Sequence, residues 1–336
     1  MSTDTLTPAE PGTATTPKGS LLGSARVLLR VHRRSLWAAG VLLVLCLGAV
    51  PGLLLWVRSQ SSKELCPDGD MTPCGDDVYL TTPARSITES YLAYGGSAVL
   101  LLSVLVGAFV AGPLIARELE SGTFRMAWAQ SVSPARWLAA RLAVPAALGV
   151  AGISALCLVY RWGWTEIRRT ENTYDPSWWQ GGVFPGIGPA AVGYMLFGVA
   201  VGALCALLIR RMLLSMAVTV VVFGVAVTGF TERRWMLWPT DQVTGEGWML
   251  DRHDWITEWG MRTASGERVL WEHCDLDSGD KVAAVCMADR GDLTPFVDYH
   301  PASHLWPLQL VETGILLALA ALATFAAFRV LRRLHG

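Results

Sequence analysis

Charge is scarce in this chain. Asp, Glu, Lys and Arg make up 16% of it, against roughly 25% in an average soluble domain. No Gly-x-x-x-x-Gly-Lys-Ser/Thr run occurs, so no loop of that kind can cradle nucleotide phosphates and the chain cannot hydrolyse ATP unaided. Gly-x-Ser-x-Gly and His-Glu-x-x-His are missing as well, which leaves a membrane-embedded enzyme without a paired acid–base or nucleophile motif. No cleavable leader is expected either. The first apolar run starts only at Trp37, is too long for a signal-peptide core and is followed by no small-residue cleavage pattern. The expectation is a first span retained as an anchor.

Apolar residues are abundant instead, at 52%. They gather in six runs, at 37–57, 92–115, 138–160, 187–209, 212–230 and 307–328, each of about twenty residues with at most one charge, the length that crosses a hydrocarbon core of roughly 30 Å. Lipid satisfies no backbone group, so such runs must be helical. The fold class expected is an all-α polytopic membrane protein with six transmembrane helices, an N-terminal interfacial helix and a small extracellular lid between spans five and six. Residues 1–19 read as a disordered tail, 20–36 as an amphipathic interfacial helix with Arg26, Arg30, Arg33 and Arg34 on one stripe, and 37–230 as spans one to five. The lid covers 231–304, and 305–336 form the sixth span and a tail.

Basic residues collect on the cytoplasmic side of short loops. Lys18 and the four N-terminal arginines, then Arg117, Arg125, Arg136 and Arg141, then Arg210 and Arg211, and finally Arg329, Arg332 and Arg333 put both termini in the cytoplasm. The chain is therefore expected as a multi-pass protein of the cytoplasmic membrane. The connection at 231–306 holds fourteen acids against seven bases and belongs outside; Arg233 and Arg234, and more weakly Arg168 and Arg169, run against the count. Cysteine fits the same orientation. Cys46, Cys157 and Cys205 lie inside spans, and the remaining pairs, Cys66 with Cys74 and Cys274 with Cys286, each fall within one outside loop. Local bridges Cys66–Cys74 and Cys274–Cys286 are expected, with free thiols or a cross-loop arrangement as alternatives.

The most informative stretch is 116–134, which follows span two. Gly122 should end a helix, Thr123 can cap a short new one running to Gln130, and Ser133 before Pro134 marks another helix start. Its core reads Arg117-Glu118-Leu119-Glu120-Ser121-Gly122-Thr123. This Arg-Glu-x-Glu-x-Gly-Thr run after a second span resembles the membrane (permease) subunits of ATP-binding-cassette exporters of the drug, lipid and polysaccharide export group. The approach to the last span, Tyr299 to Glu312, and an Arg- and Ala-rich, Lys-poor composition are similar to the actinobacterial members. The resemblance implies that 118–130 is the coupling helix docking on a cytoplasmic ATPase dimer. Glu118 and Glu120 would be its carboxylates, pairing with basic groups of the partner or of the N-terminal helix. Gly122, Thr123 and Arg125 would lie within it, and Phe124, Met126 and Trp128 would form its apolar face. It further implies a second membrane subunit, either a copy or a homologue. No cofactor is expected in this chain, ATP and Mg belonging to the partner; the lipid bilayer is the other partner, and nucleic acid is not expected.

Glu312, inside the last apolar run, can gate a pathway, meet a cationic substrate, or bond Gln309 or the lid. His300 and His304 stand at a metal-compatible spacing but read better as interfacial histidines, and no metal site is expected. Trp178 and Trp179 read as aromatic-belt residues, and Pro113 and Pro145 as kinks. A rival to transport is a sensing or immunity component that holds an extracellular peptide with the Trp-rich loop (Trp235, Trp238, Trp248, Trp255, Trp259, Trp271) and moves nothing.

Overall fold

The computed structural model describes residues 29–61, 83–124, 133–169, 176–245, 249–270 and 293–335. Within them six helical spans are long and apolar enough to cross a membrane: Arg33–Ser59, Ser86–Ser121, Pro134–Arg168, Ala190–Ile209, Met212–Leu237 and Ala302–Arg333. Each contains or closely overlaps one of the six apolar runs, and the fold is that of an all-α polytopic membrane protein. The helices are α1 (Arg33–Ser61), α2 (Pro83–Leu105), α3 (Gly112–Ser121), α4 (Pro134–Arg168), α5 (Ala190–Ile209), α6 (Met212–Arg233) and α7 (Leu305–His335). Residues 1–28, with most of the expected interfacial helix, lie outside the described residues, as do Cys66, Cys74, Cys274 and Cys286. Cys46, Cys157 and Cys205 are free thiols within spans.

The helix α5 is the hub. Of its apolar window 72% is buried, whereas the other spans bury between 11% and 44%. Its sequence is apolar on every side and rich in Gly and Ala, the composition of a helix surrounded by others. It packs most extensively on α7 and also meets α2, α3, α4 and α6.

Span two is continuous but not regular. Between α2 and α3 the backbone widens into a π-helical stretch, Val106–Ala111, in which the Gly112 N–H reaches back to the Gly107 carbonyl. Pro113, next in line, has no N–H to give, so one widened turn absorbs the missing donor. This stretch lies directly on α5. A Cβ on Gly202 would come within 2.4 Å of the Gly107 carbonyl oxygen, and one on Gly107 within 2.5 Å of the Gly198 backbone. Spans two and four therefore touch backbone to backbone, a closeness only small residues permit.

The connection after α6 carries a four-stranded antiparallel sheet that the sequence reading left unassigned. Its strands are β1 (Asp241–Thr244), β2 (Trp255–Thr263), β3 (Arg268–Leu270) and β4 (Leu293–His300), in the order β1-β4-β2-β3. A bulge at Thr257, between the pairs Ile256–Tyr299 and Glu258–Asp298, shifts the register of β2 on β4. Asp298 of β4 accepts from Gln242 of β1 and Arg268 of β3, so one carboxylate joins three strands.

Trp178 and Trp179 are not belt residues. Trp178 is buried and donates its indole N–H to the His253 carbonyl at 2.7 Å. Its ring meets Trp255 edge to face, and Trp179 stacks on Trp255, each at 5.9 Å. The two side chains form the floor on which the sheet rests. The loop below them runs inward, burying Val183, Phe184 and Ile187 among α2, α4 and α7.

Candidate functional site

At the end of the bundle away from the sheet, α3 ends at Gly122, whose φ of +73° is the left-handed cap that glycine adopts most easily. One turn earlier Glu118 faces α4. Its carboxylate accepts from the Trp137 indole N–H at 2.9 Å and from the Arg141 Nε at 3.1 Å, and a second Arg141 nitrogen completes a forked ion pair. The Arg141 guanidinium also lies 4.4 Å from the centre of the Trp137 ring. Trp137 and Arg141 are one turn apart on α4, so a single helical face presents both donors.

Glu120 points the other way. Its Oε2 accepts from the Met212 backbone N–H at 3.3 Å. Met212 is the first residue of α6, and Arg211 before it provides no side-chain cap, so Glu120 supplies an acceptor and a negative charge at that helix start. The preceding hairpin consists of Arg210 in the left-handed conformation, φ 54°, and Arg211 extended. The two carboxylates are thus engaged within the chain, Glu118 joining α3 to α4 and Glu120 joining α3 to α6. Thr123 shares a 2.9 Å hydrogen bond with Ser121, and Phe124 packs half-buried against the buried cluster that includes Ile115, Trp137 and Leu207. Arg125, Met126, Trp128 and Gln130 lie outside the described residues. The chain returns at Ser133, whose Oγ accepts from the Arg136 N–H at 3.4 Å, with Pro134 opening α4 as its position predicts.

At the sheet end Glu312 is fully buried on α7. Its carboxylate accepts from Arg234 Nε at 2.8 Å, Arg234 Nη2 at 3.3 Å and the Tyr194 hydroxyl at 2.8 Å. Arg234 is buried too and lies 3.9 Å from the centre of the Phe184 ring. Arg234, Tyr194 and Glu312 therefore lock the end of span five, α5 and α7 together. A turn above, Gln309 accepts from the Ala190 N–H at 3.0 Å and donates to the Phe184 carbonyl at 2.5 Å, fastening the inward loop to α7. Of the contacts expected for Glu312, the one observed is with the lid, since Arg234 lies within 231–304, whereas Gln309 bonds the Ala190 N–H and the Phe184 carbonyl instead. The partner is Arg234, which the charge count had placed in an outside loop.

Next to this lock, His300 is buried with its Nε2 3.0 Å from the Trp235 carbonyl and its Nδ1 3.0 Å from Nδ1 of His304. A carbonyl only accepts, so His300 Nε2 carries the proton and His304 Nδ1–H donates to His300. Burial first, then the neighbouring His304, lowers the His300 pKa from its ordinary 6.5; the Trp235 carbonyl and Asp241 act in the opposite sense. Among the described residues no group of three or more His, Cys, Asp or Glu is placed to hold a metal.

Six apolar spans with α5 buried among the others, a charged joint at one end and a small sheet at the other, define a polytopic membrane protein. Residues 39–234, more than half of the chain, match the family model described as ABC-2 membrane transporter related, and the chain belongs to that family. No curated protein and no solved structure matches it.

Proposed function

We propose that the chain is the permease subunit of an ATP-driven exporter in the cytoplasmic membrane. It works with a cytoplasmic ATPase dimer that holds ATP and Mg, and with a second membrane subunit, a copy or a homologue. Both termini and residues 116–134 then face the cytoplasm, and the sheet lies outside. The observation that supports this reading is the double tie at the end of span two. A segment bound through Glu118 to α4 and through Glu120 to α6 cannot be pushed without moving α3, α4 and α6 together. That is the mechanical requirement for a coupling segment, which on this reading runs from Glu118 past Gly122, Thr123, Phe124 and Arg125 to Trp128 and Gln130.

The cargo is hydrophobic or amphipathic. The Arg234–Glu312 pair is neutral overall and each charge is held by the other, so it offers no free charge to a small ion. Glu312 acts as a latch across the sheet end, and a route opening there must either break it or carry α5, α6 and α7 as one body. The rival sensing role draws on the Trp-rich loop, but Trp255 is already occupied by Trp178 and Trp179, which leaves less aromatic surface for a peptide.

The direct test is reconstitution with the ATPase in inverted vesicles. ATP-dependent uptake of an amphipathic dye is expected; peptide binding without any uptake would replace transport with sensing. In the same assembly Glu120→Ala and Gly122→Pro should leave the bundle assembled while ATP turnover no longer responds to cargo. Unchanged cargo-stimulated turnover in both variants would remove the coupling assignment.

A further inference from the structure

The residues around Glu118 also border a cavity that the coupling role does not use. It measures about 650 Å³ and lies between the start of α1, span two and α4. That volume is within the roughly 300–1,000 Å³ of small-molecule sites. Its walls divide by polarity. Most of the lining is apolar, including Leu36, Phe109, Leu114 and Leu148, while its polar members include His32 and Ser35 near the start of α1 and Arg117 and Thr123 at the end of span two. Phe109 is 51% and Leu148 47% exposed, so the apolar walls continue onto the flank of the bundle and the cavity opens sideways.

Its charge is positive. Glu118 borders the cavity but its carboxylate is neutralised by Arg141. Arg117, exposed and one residue away, has no hydrogen bond or ion pair among the described residues. A free guanidinium above a greasy, laterally open slot matches one chemistry: an anionic head on an acyl chain, the head forked by arginine and the chain desolvated beneath it. We infer that this cleft binds one anionic phospholipid drawn sideways from the surrounding leaflet, its phosphate on Arg117 and an acyl chain between Leu36, Phe109 and Leu148. The occupant bridges α1 to span two and α4 beside the Glu118 joint. It belongs to the resident bilayer, so the inference holds whether or not the protein transports.

The test is native mass spectrometry of the delipidated full-length chain in detergent, titrated with phosphatidylglycerol, with phosphatidylcholine of identical chains, or with inorganic phosphate. One phosphatidylglycerol should be retained about tenfold more tightly than phosphatidylcholine, and phosphate alone should not be retained; a tenfold preference is what loss of one charge-assisted contact removes. Arg117→Gln should reduce phosphatidylglycerol to the phosphatidylcholine level, whereas Arg332→Gln, which removes an equal charge on α7, should not. Leu148→Trp, filling the slot from its exposed edge, should weaken both lipids. Equal retention of the two lipids, full retention in Arg117→Gln, or tight binding of phosphate without a chain would each overturn the proposal. Lipid that binds only after residues 1–28 are deleted would also overturn it, by giving the cleft to the chain's own N-terminal segment.

Discussion

Glu118 and Glu312 stand at opposite ends of the bundle and are held by the same chemistry. Each is a carboxylate forked by one arginine and capped by one aromatic donor, Trp137 for the first and Tyr194 for the second. Their surroundings differ. The Glu118 and Arg141 side chains are 29% and 14% exposed, while those of Glu312 and Arg234 are 0% and 2%. Water can take over the contacts of the first pair when they break, so it can part and re-form at modest cost. The second pair has no such substitute, and separating it leaves a bare charge in an apolar interior. Identical bonds thus make a joint at one end and a rivet at the other, and solvent access decides which.

The largest effect expected from breaking this comparison is at the rivet. Glu312→Leu strands Arg234 and should lower stability by roughly 3–5 kcal/mol in denaturant or thermal melts, while Arg234→Met with Glu312→Leu should regain most of the loss. A single substitution costing under about 1 kcal/mol would show that the end is wetter than its burial implies. Glu118→Gln should cost only about 1 kcal/mol, since exposure screens the pair, yet it should uncouple ATP turnover from cargo. Gly122→Ala should cost a similar amount, about 1–2 kcal/mol, because the left-handed backbone opposes it and, among the described residues, no atom lies within 4 Å of the added carbon.

Smaller again is the pH response of the sheet end. With its pKa lowered in the folded protein, His300 is held neutral, so the unfolded chain binds the extra proton more readily. Its contribution to stability is complete above about 6.5 and fades as pH falls below that value. Protection of the β4 amides, corrected for the slower base-catalysed intrinsic exchange at lower pH, should decrease as the pH is lowered from 7 through about 6.5. A His300→Phe variant should lose the response, and one that kept it would assign the titration elsewhere. Smallest is Glu120→Gln, which weakens the charge at the α6 start and should cost about 0.3–1 kcal/mol.

The spans were legible because twenty consecutive apolar residues have one structural solution in lipid, and the joint was legible in outline because Gly122, Ser133 and Pro134 are local backbone signals. What escaped depends on pairings between distant residues. Nothing near Arg234 in sequence says that it turns inward to Glu312; charge counting put it outside, and only the ionisable residue inside the last apolar run hinted that a counter-charge was needed. Trp137 and Arg141, one turn apart at the start of span three, were the available clue to the partner of Glu118. The sheet was missed because its strands run from three to nine residues and β2 is broken by a bulge at Thr257, which blurs the alternation that marks a strand. Trp178 and Trp179 were misplaced because an aromatic belt and an aromatic floor have the same composition.

On the proposed reading, the joint after span two is where a motor protein pushes. A photo-crosslinking amino acid placed at Thr123, and another at the exposed Trp259 of the sheet, would test it most directly in native membranes. A crosslink is expected from position 123 to a nucleotide-hydrolysing subunit, and none from 259. A motor captured only from position 259, or no motor captured from 123 in an assembly that consumes ATP, would contradict it.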